Sequence, residues 1–165
     1  MYIIKLNIYK LNMFNIRNIF FLIILIYPVS LLLGSETYKI KIMGRFDGET
    51  VNLPNEGNFN LFKADAAFSD SDGNFGDAIG RGVRETDKNN KIINIYAVLI
   101  FETPDGSSML ARPQRTESDI KAGTGSYNIL YASGVFKKYL GYNCKYGITT
   151  TKSGSFIQEN ICKSN

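Results

Sequence analysis

The chain has 165 residues, 19 Lys/Arg against 15 Asp/Glu, and neither histidine nor tryptophan. Without histidine it can build no imidazole zinc site, Ser-His-Asp triad or Cys-His nucleophile, so any proton chemistry falls to carboxylates, tyrosine or lysine. Lys5, Lys10 and Arg17 lie in the first 35 residues, which hold no acid; the rest carries 16 basic against 15 acidic residues, a near-neutral body without the basic stripe that a nucleic-acid partner requires.

From Ile19 to Leu33, IFFLIILIYPVSLLL, fifteen residues pass without a charge, with Arg17 before them and Gly34-Ser35 after. A basic start, an apolar middle and small residues at the end predict a secretory signal over 1–35, with Met13 as an alternative start, and a secreted or periplasmic protein. The run is shorter than the roughly 20 residues of a usual spanning helix. An uncleaved N-terminal anchor helix is the other reading, and the protein would then meet the membrane only through residues 13–35. What remains, 36–165, is the size of one domain with one core.

Along that part the pattern is strand after strand. Tyr38, Ile40, Ile42 and Phe46 fall on one parity and Lys39, Lys41 and Arg45 on the other, giving a strand with one wet face. Gly48 and the LPNEG segment read as a loop. Between Asn58 and Ser69 the apolar parity switches from Phe59 and Leu61 to Phe62, Ala64, Ala66 and Phe68, which predicts a bulge. Asp70, Asp72 and Asn74 alternate as calcium ligands would, but Phe75 replaces the glycine of such a loop and its closing glutamate is absent. A solvated turn is the reading, and no metal is expected.

The next strand sets Phe75, Asp77, Ile79, Arg81 and Val83 against Gly76, Ala78, Gly80 and Gly82, a small-residue face that leaves room for another backbone or a ligand. Lys91 to Thr103 is apolar on both parities and so is expected to be covered on both sides. Pro104-Asp-Gly106 is a hairpin turn. Ser107 to Glu117 reads as a strand in which Pro113 marks an edge or a bulge. Tyr127, Ile129 and Tyr131 then alternate with Ser126, Asn128 and Leu130 inside the stretch from Gly123 to Gly141, where Phe136 is placed to plug a barrel end. Strands at Tyr142–Thr151 and Ser155–Cys162 follow. About eight strands with no helix beyond one or two turns predict an all-β fold, a single antiparallel barrel that is closed or nearly closed, preceded by the signal or anchor helix.

With Lys152-Ser153-Gly154 as a hairpin loop, pairing is symmetric about Ser153: Thr150 faces Phe156, Ile148 faces Gln158, Tyr146 faces Asn160 and Cys144 faces Cys162. Opposed cysteines on paired strands lie within disulfide reach, and export would oxidise them, so a structural bridge is predicted.

A Gly- and Tyr-rich strand, then Gly134-Val-Phe136-Lys137-Lys-Tyr-Leu-Gly141, then an antiparallel pair resembles the eight-stranded barrel of plant allene oxide cyclases and dirigent proteins, of a lipocalin-like superfamily. The resemblance covers roughly Phe75 to Thr151. The chain has Tyr131-Ala-Ser-Gly134 where that family shows Gly-Gly-Thr-Gly, so the fold is carried over and no catalytic residue is. The resemblance implies a trimer, which would suit the doubly apolar strand from Ile92 to Phe101; a helix or loop laid over it would suit it equally.

Asp77 and Arg81 share a parity with Glu85. Facing inward they would have to pair and would anchor a polar ligand group; facing outward they are surface charges, and Glu102, Arg112 and Arg115 raise the same question. Tyr96, Tyr127 and Tyr131 are the tyrosines named as candidate cavity lining, although tyrosine is also simply a good strand residue. The function expected is non-catalytic binding of a small apolar or amphipathic molecule, or a structural or interaction role, with no cofactor. A cyclase or isomerase of the allene oxide cyclase or dirigent kind is the alternative.

Overall fold

The computed structural model describes residues 37–164 apart from 56, 116 and 117. The segment read as a signal or anchor helix, 1–35, lies outside the described residues. Among them no helix is long and apolar enough to cross a membrane.

The strands are β1 (Thr37–Leu53), β2 (Gly57–Asp70), β3 (Phe75–Thr86), β4 (Lys91–Glu102), β5 (Ser108–Ala111), β6 (Ser118–Asp119), β7 (Ala122–Ala132), β8 (Asn143–Thr150) and β9 (Ser155–Lys163), with a 3-10 turn, η1 (Gly134–Tyr139), between β7 and β8. Hydrogen bonding runs β3-β2-β1-β9-β8-β7-β5-β4, and pairing of β4 with β3 closes the ring. The two-residue β6 continues the stave begun by β5, so the result is an eight-stranded closed antiparallel barrel, which removes the free edges that a meander would expose.

Alternation decides which side chains enter. Tyr38, Ile40 and Ile42 of β1, Ala64 and Phe68 of β2, and Tyr146, Ile148 and Phe156 of β8 and β9 are buried inside, while their charged neighbours face water. The β8–β9 register pairs Thr150 with Phe156, Tyr146 with Asn160 and Cys144 with Cys162, as the symmetric loop predicted, and the two cysteines are joined in a disulfide.

Two local expectations need correction. β1 does not stop at Gly48: it pairs with β2 in one register from Ile40↔Asp70 to Leu53↔Gly57, and no bulge interrupts it. The parity switch is produced by a polar residue on the inside. Asn60 faces inward, donates to Thr50 Oγ1 at 2.6 Å and accepts from Arg84, so its amide is satisfied where an apolar residue was expected, and Leu61 faces out. The irregularities fall elsewhere. On β4 the pairs Glu85↔Asn94 and Thr86↔Ile92 leave Ile93 extra, turning it outward and Ile92 inward. On β7 the pairs Leu110↔Tyr131 and Ala111↔Ile129 leave Leu130 extra, which turns Tyr131 outward although Tyr127 and Ile129 point in.

The doubly apolar β4 has its inner face in the barrel, with Ala97 and Phe101 buried. No described element lies over its outer face, where Tyr96 is 66% exposed. The stave after it is shorter than predicted. β5 bonds Leu99–Glu102; the chain then meets β7 through the Gln114↔Ser126 bridge, and among the described residues its next pairing with β4 is at Lys91 and Ile92. Pro113, with no N–H to give, sits where the ladder is abandoned.

One end of the barrel is closed by η1. Gly134 starts it at φ +55°, with its α-carbon so close to Ser107 that a Cβ would overlap that side chain. Phe136 is fully buried, 6.1 Å from the Phe68 ring, which meets Phe101 edge-on at 5.3 Å; Tyr139 stacks on Tyr38 at 3.7 Å. The plug is latched to the β2–β3 turn, since Tyr139 donates to Asp72, Lys138 reaches the same carboxylate at 2.7 Å, and Tyr38 donates to Asp70 at 2.8 Å.

Candidate functional site

Away from the plug the inward side chains shrink. Ala64, Ala66, Ala78, Gly80 and Ala97 come together from β2, β3 and β4 and leave a cavity of about 80 Å³, walled by apolar residues such as Ile42, Phe46, Ile95 and Phe156. The glycine and alanine face of β3 noted in the sequence is thus the face that makes the space. Polar groups reach the same cavity from five residues: Arg84, Arg115, Tyr146, Thr150 and Gln158.

Arg84 projects inward beside Asn60, its partner across the β2–β3 ladder. Its Nε and Nη2 donate to Asn60 Oδ1 at 3.2 and 3.0 Å. Arg115 is 7% exposed, and its Nη2 donates to the backbone oxygen of Asp119. Burial lowers the pKa of both guanidiniums; the charge of Arg115 lowers that of Arg84 further, while Tyr146 and Asp119 oppose the shift on Arg115. Tyr146, donating to Gln114 O at 3.4 Å, is pushed up to about 12 by burial against the pull of Arg115. Its ring fits because position 125 is glycine: a Cβ there would lie 2.4 Å from the ring. No Asp or Glu lines the cavity among the described residues.

The sequence candidates divide. Tyr127 faces the interior, 2% exposed, with its ring 6.1 Å from Tyr146; its hydroxyl has no hydrogen-bond partner among the described residues, and burial raises its pKa. Asp77, Arg81, Tyr96 and Tyr131 are on the outside. Arg81 is spent on Asp65 at 2.8 Å and on the carbonyls of Gly80 and Ala64, and the Tyr96 hydroxyl accepts from Asn94 at 3.1 Å. Arg81 and Tyr96 also border an outer recess over the gap that the short β5 leaves in the wall, and this recess shares Ile95, Ala97, Val98, Pro113 and Arg115 with the interior cavity. The recess and the cavity therefore lie on either side of the same stretch of wall.

Arg84 was missed, though its parity with Gly76, Ala78, Gly80 and Gly82 placed it on the inner face. Of Glu102, Arg112 and Arg115, whose facing the sequence leaves open, Arg115 is the one that is buried. Among known proteins no family model matches the chain, and no curated protein is significantly similar to it.

Proposed function

We propose that this protein is an exported barrel that binds a small apolar or amphipathic molecule in its interior without transforming it. The observation that carries the reading is the unfilled, alanine- and glycine-lined cavity, which shares part of its wall with a recess on the outer surface. Its roughly 80 Å³ is about half of an engineered cavity of about 150 Å³ that takes benzene, so the enclosed part suits a group of about three carbons, with the remainder of a longer ligand lying in the gap. The Cys144–Cys162 bridge and the signal-like first 35 residues support export. The absence of any carboxylate from the described cavity lining favours binding over a cyclase or isomerase, the chemistry that the resemblance to allene oxide cyclases and dirigent proteins implies. Tyr146, protonated at neutral pH, is a poor base for such a step.

Native mass spectrometry of freshly purified protein is expected to show a retained small molecule, and an apolar fluorescent dye is expected to bind after its removal. Ala97→Leu fills the cavity and is expected to abolish dye binding while the fold, followed by circular dichroism, is kept. Unchanged binding in a folded Ala97→Leu protein would place the dye elsewhere and sink the reading.

A further inference from the structure

We propose that the outer wall formed by β1, β9 and β8 docks on a membrane surface that carries anionic lipid, a role separate from binding in the interior. Strand alternation puts four exposed lysines on the outer face of 37–43, 143–149 and 157–163. Lys39 and Lys145 stand on either side of Ile161 in the ladders, Lys163 follows two residues on, and Lys41 lies opposite Glu159. Glu159 is the one acid in these three segments, and it is 3.9 Å from Lys41. Lys39, Lys145 and Lys163 have no ion pair among the described residues, and the flanking strands offer uncharged neighbours such as Ser69 and Ser126. Elsewhere the chain mixes its signs, as in Lys63 with Asp47 and Arg81 with Asp65. The near-neutral total hides the cluster, because positions as distant as 39 and 145 meet only in the closed barrel.

One-signed charge gathered on one face attracts an anionic partner and repels a cationic one. Two observations select a lipid surface as that partner. Ile161 is 50% exposed among the ammoniums, and Met43 and Ile157, opposite each other in the β1–β9 ladder, are 53% and 39% exposed beyond it. Aliphatic side chains framed by lysines suit the headgroup boundary: the apolar groups enter the acyl edge, while the long lysine stems keep their charges at the phosphates. A soluble polyanion would engage the lysines and leave the aliphatic groups in water. The second observation is covalent. β1 begins at Thr37, paired with Lys163, and Leu33, the last residue of the apolar run, is four residues before it. At most about 14 Å of extended chain joins the two. A bilayer that takes up Ile19 to Leu33 is therefore held close to the lysines at the start of this wall.

The test uses the purified full chain with vesicles of phosphatidylcholine alone or mixed with phosphatidylglycerol. Because the chain has no tryptophan, Ile161→Trp supplies a single fluorescent reporter on this wall and Tyr96→Trp one on the outer face of β4. The Ile161→Trp emission is expected to shift to the blue with the anionic vesicles, to stay unshifted with the zwitterionic ones, and to return at high salt. The Tyr96→Trp emission is expected to stay unchanged throughout. Adding Lys39→Gln and Lys145→Gln to Ile161→Trp is expected to weaken docking about 30-fold, about fivefold for each lysine. Both lysines are exposed, and the salt dependence of the parent serves if that variant fails to fold. Equal shifts on the two kinds of vesicle, or docking unchanged in the lysine variant, would overturn the proposal. A shift at Tyr96→Trp without one at Ile161→Trp would overturn it too, by placing the membrane against β4. A shift with heparin and none with vesicles would give the wall to a soluble polyanion instead. None of these outcomes bears on the binding role of the interior.

Discussion

The two halves of the barrel interior are built from the same strands to opposite ends. Toward η1, β2 contributes Phe68 and β4 contributes Phe101, and these pack with Phe136, Tyr38, Tyr139 and the disulfide into a filled, ring-dominated core whose hydroxyls at Tyr38 and Tyr139 are taken up by Asp70 and Asp72. A few residues along, the same strands offer Ala66 and Ala64, then Ala97, around an unfilled space that Arg84 of β3 and Arg115 also line. Packing energy is concentrated in the first half and withheld from the second. On the proposed function, stability and binding fall to different ends of one barrel, and substitutions should separate them.

The largest separation is expected from Phe136→Ala. Removing a fully buried ring from the plug should cost about 3–5 kcal/mol in urea denaturation, with ligand affinity retained wherever the protein remains folded. A cost under about 1 kcal/mol would mean that the plug is not the source of stability claimed for it. Replacing Cys144 and Cys162 by serine releases β9 from β8 and should cost about 2–4 kcal/mol, again without altering affinity for the cavity.

The smallest effect is at the latch and depends on pH. The Lys138 ammonium, and then the Tyr139 hydroxyl, hold the Asp72 carboxyl below the usual value of 3.8. A carboxyl depressed by folding stabilises the protein fully above its unfolded pKa, and that contribution is lost as the pH falls through the lowered folded value. Asp72→Asn should therefore melt about 2–4 °C below the parent at pH 7, with the difference shrinking once the pH drops below about 3.8. A difference that stays constant down to pH 2 would exclude the charge of Asp72 as its cause.

How far this arrangement could be read in advance varied with the local rules. The β8–β9 register and its disulfide were legible because a short loop with turn residues at Lys152-Ser153-Gly154 fixes which residues face each other. The Phe136 plug was legible from the glycines on either side of it. The glycine and alanine face of β3 was legible as spare room, and Arg84 on the same parity could have been read with it. Tyr131 and Ile93 were not legible: Ile93 is itself an inserted residue and Tyr131 follows one, Leu130, and a bulge reverses the side-chain parity that a strict period of two extrapolates. Asn60 misled in the opposite sense, because a polar residue inside a barrel can be anticipated only when its partners, Thr50 and Arg84, are known from tertiary structure.

The wall beside β4 has a kinetic consequence. From Asn94 to Val98 this strand is paired with β3 on one side and, among the described residues, with neither β5 nor β6 on the other, so the described ring is stitched there by four residues above and two below. In hydrogen exchange the alternate amides facing that seam should lose protection far sooner than their neighbours on β3, although all belong to the middle of a closed barrel. If the proposed ligand passes this seam, it should come and go at the rate of local opening, without unfolding of the plug. The lifetime of the complex then follows from how the barrel is stitched as much as from how well the cavity fits.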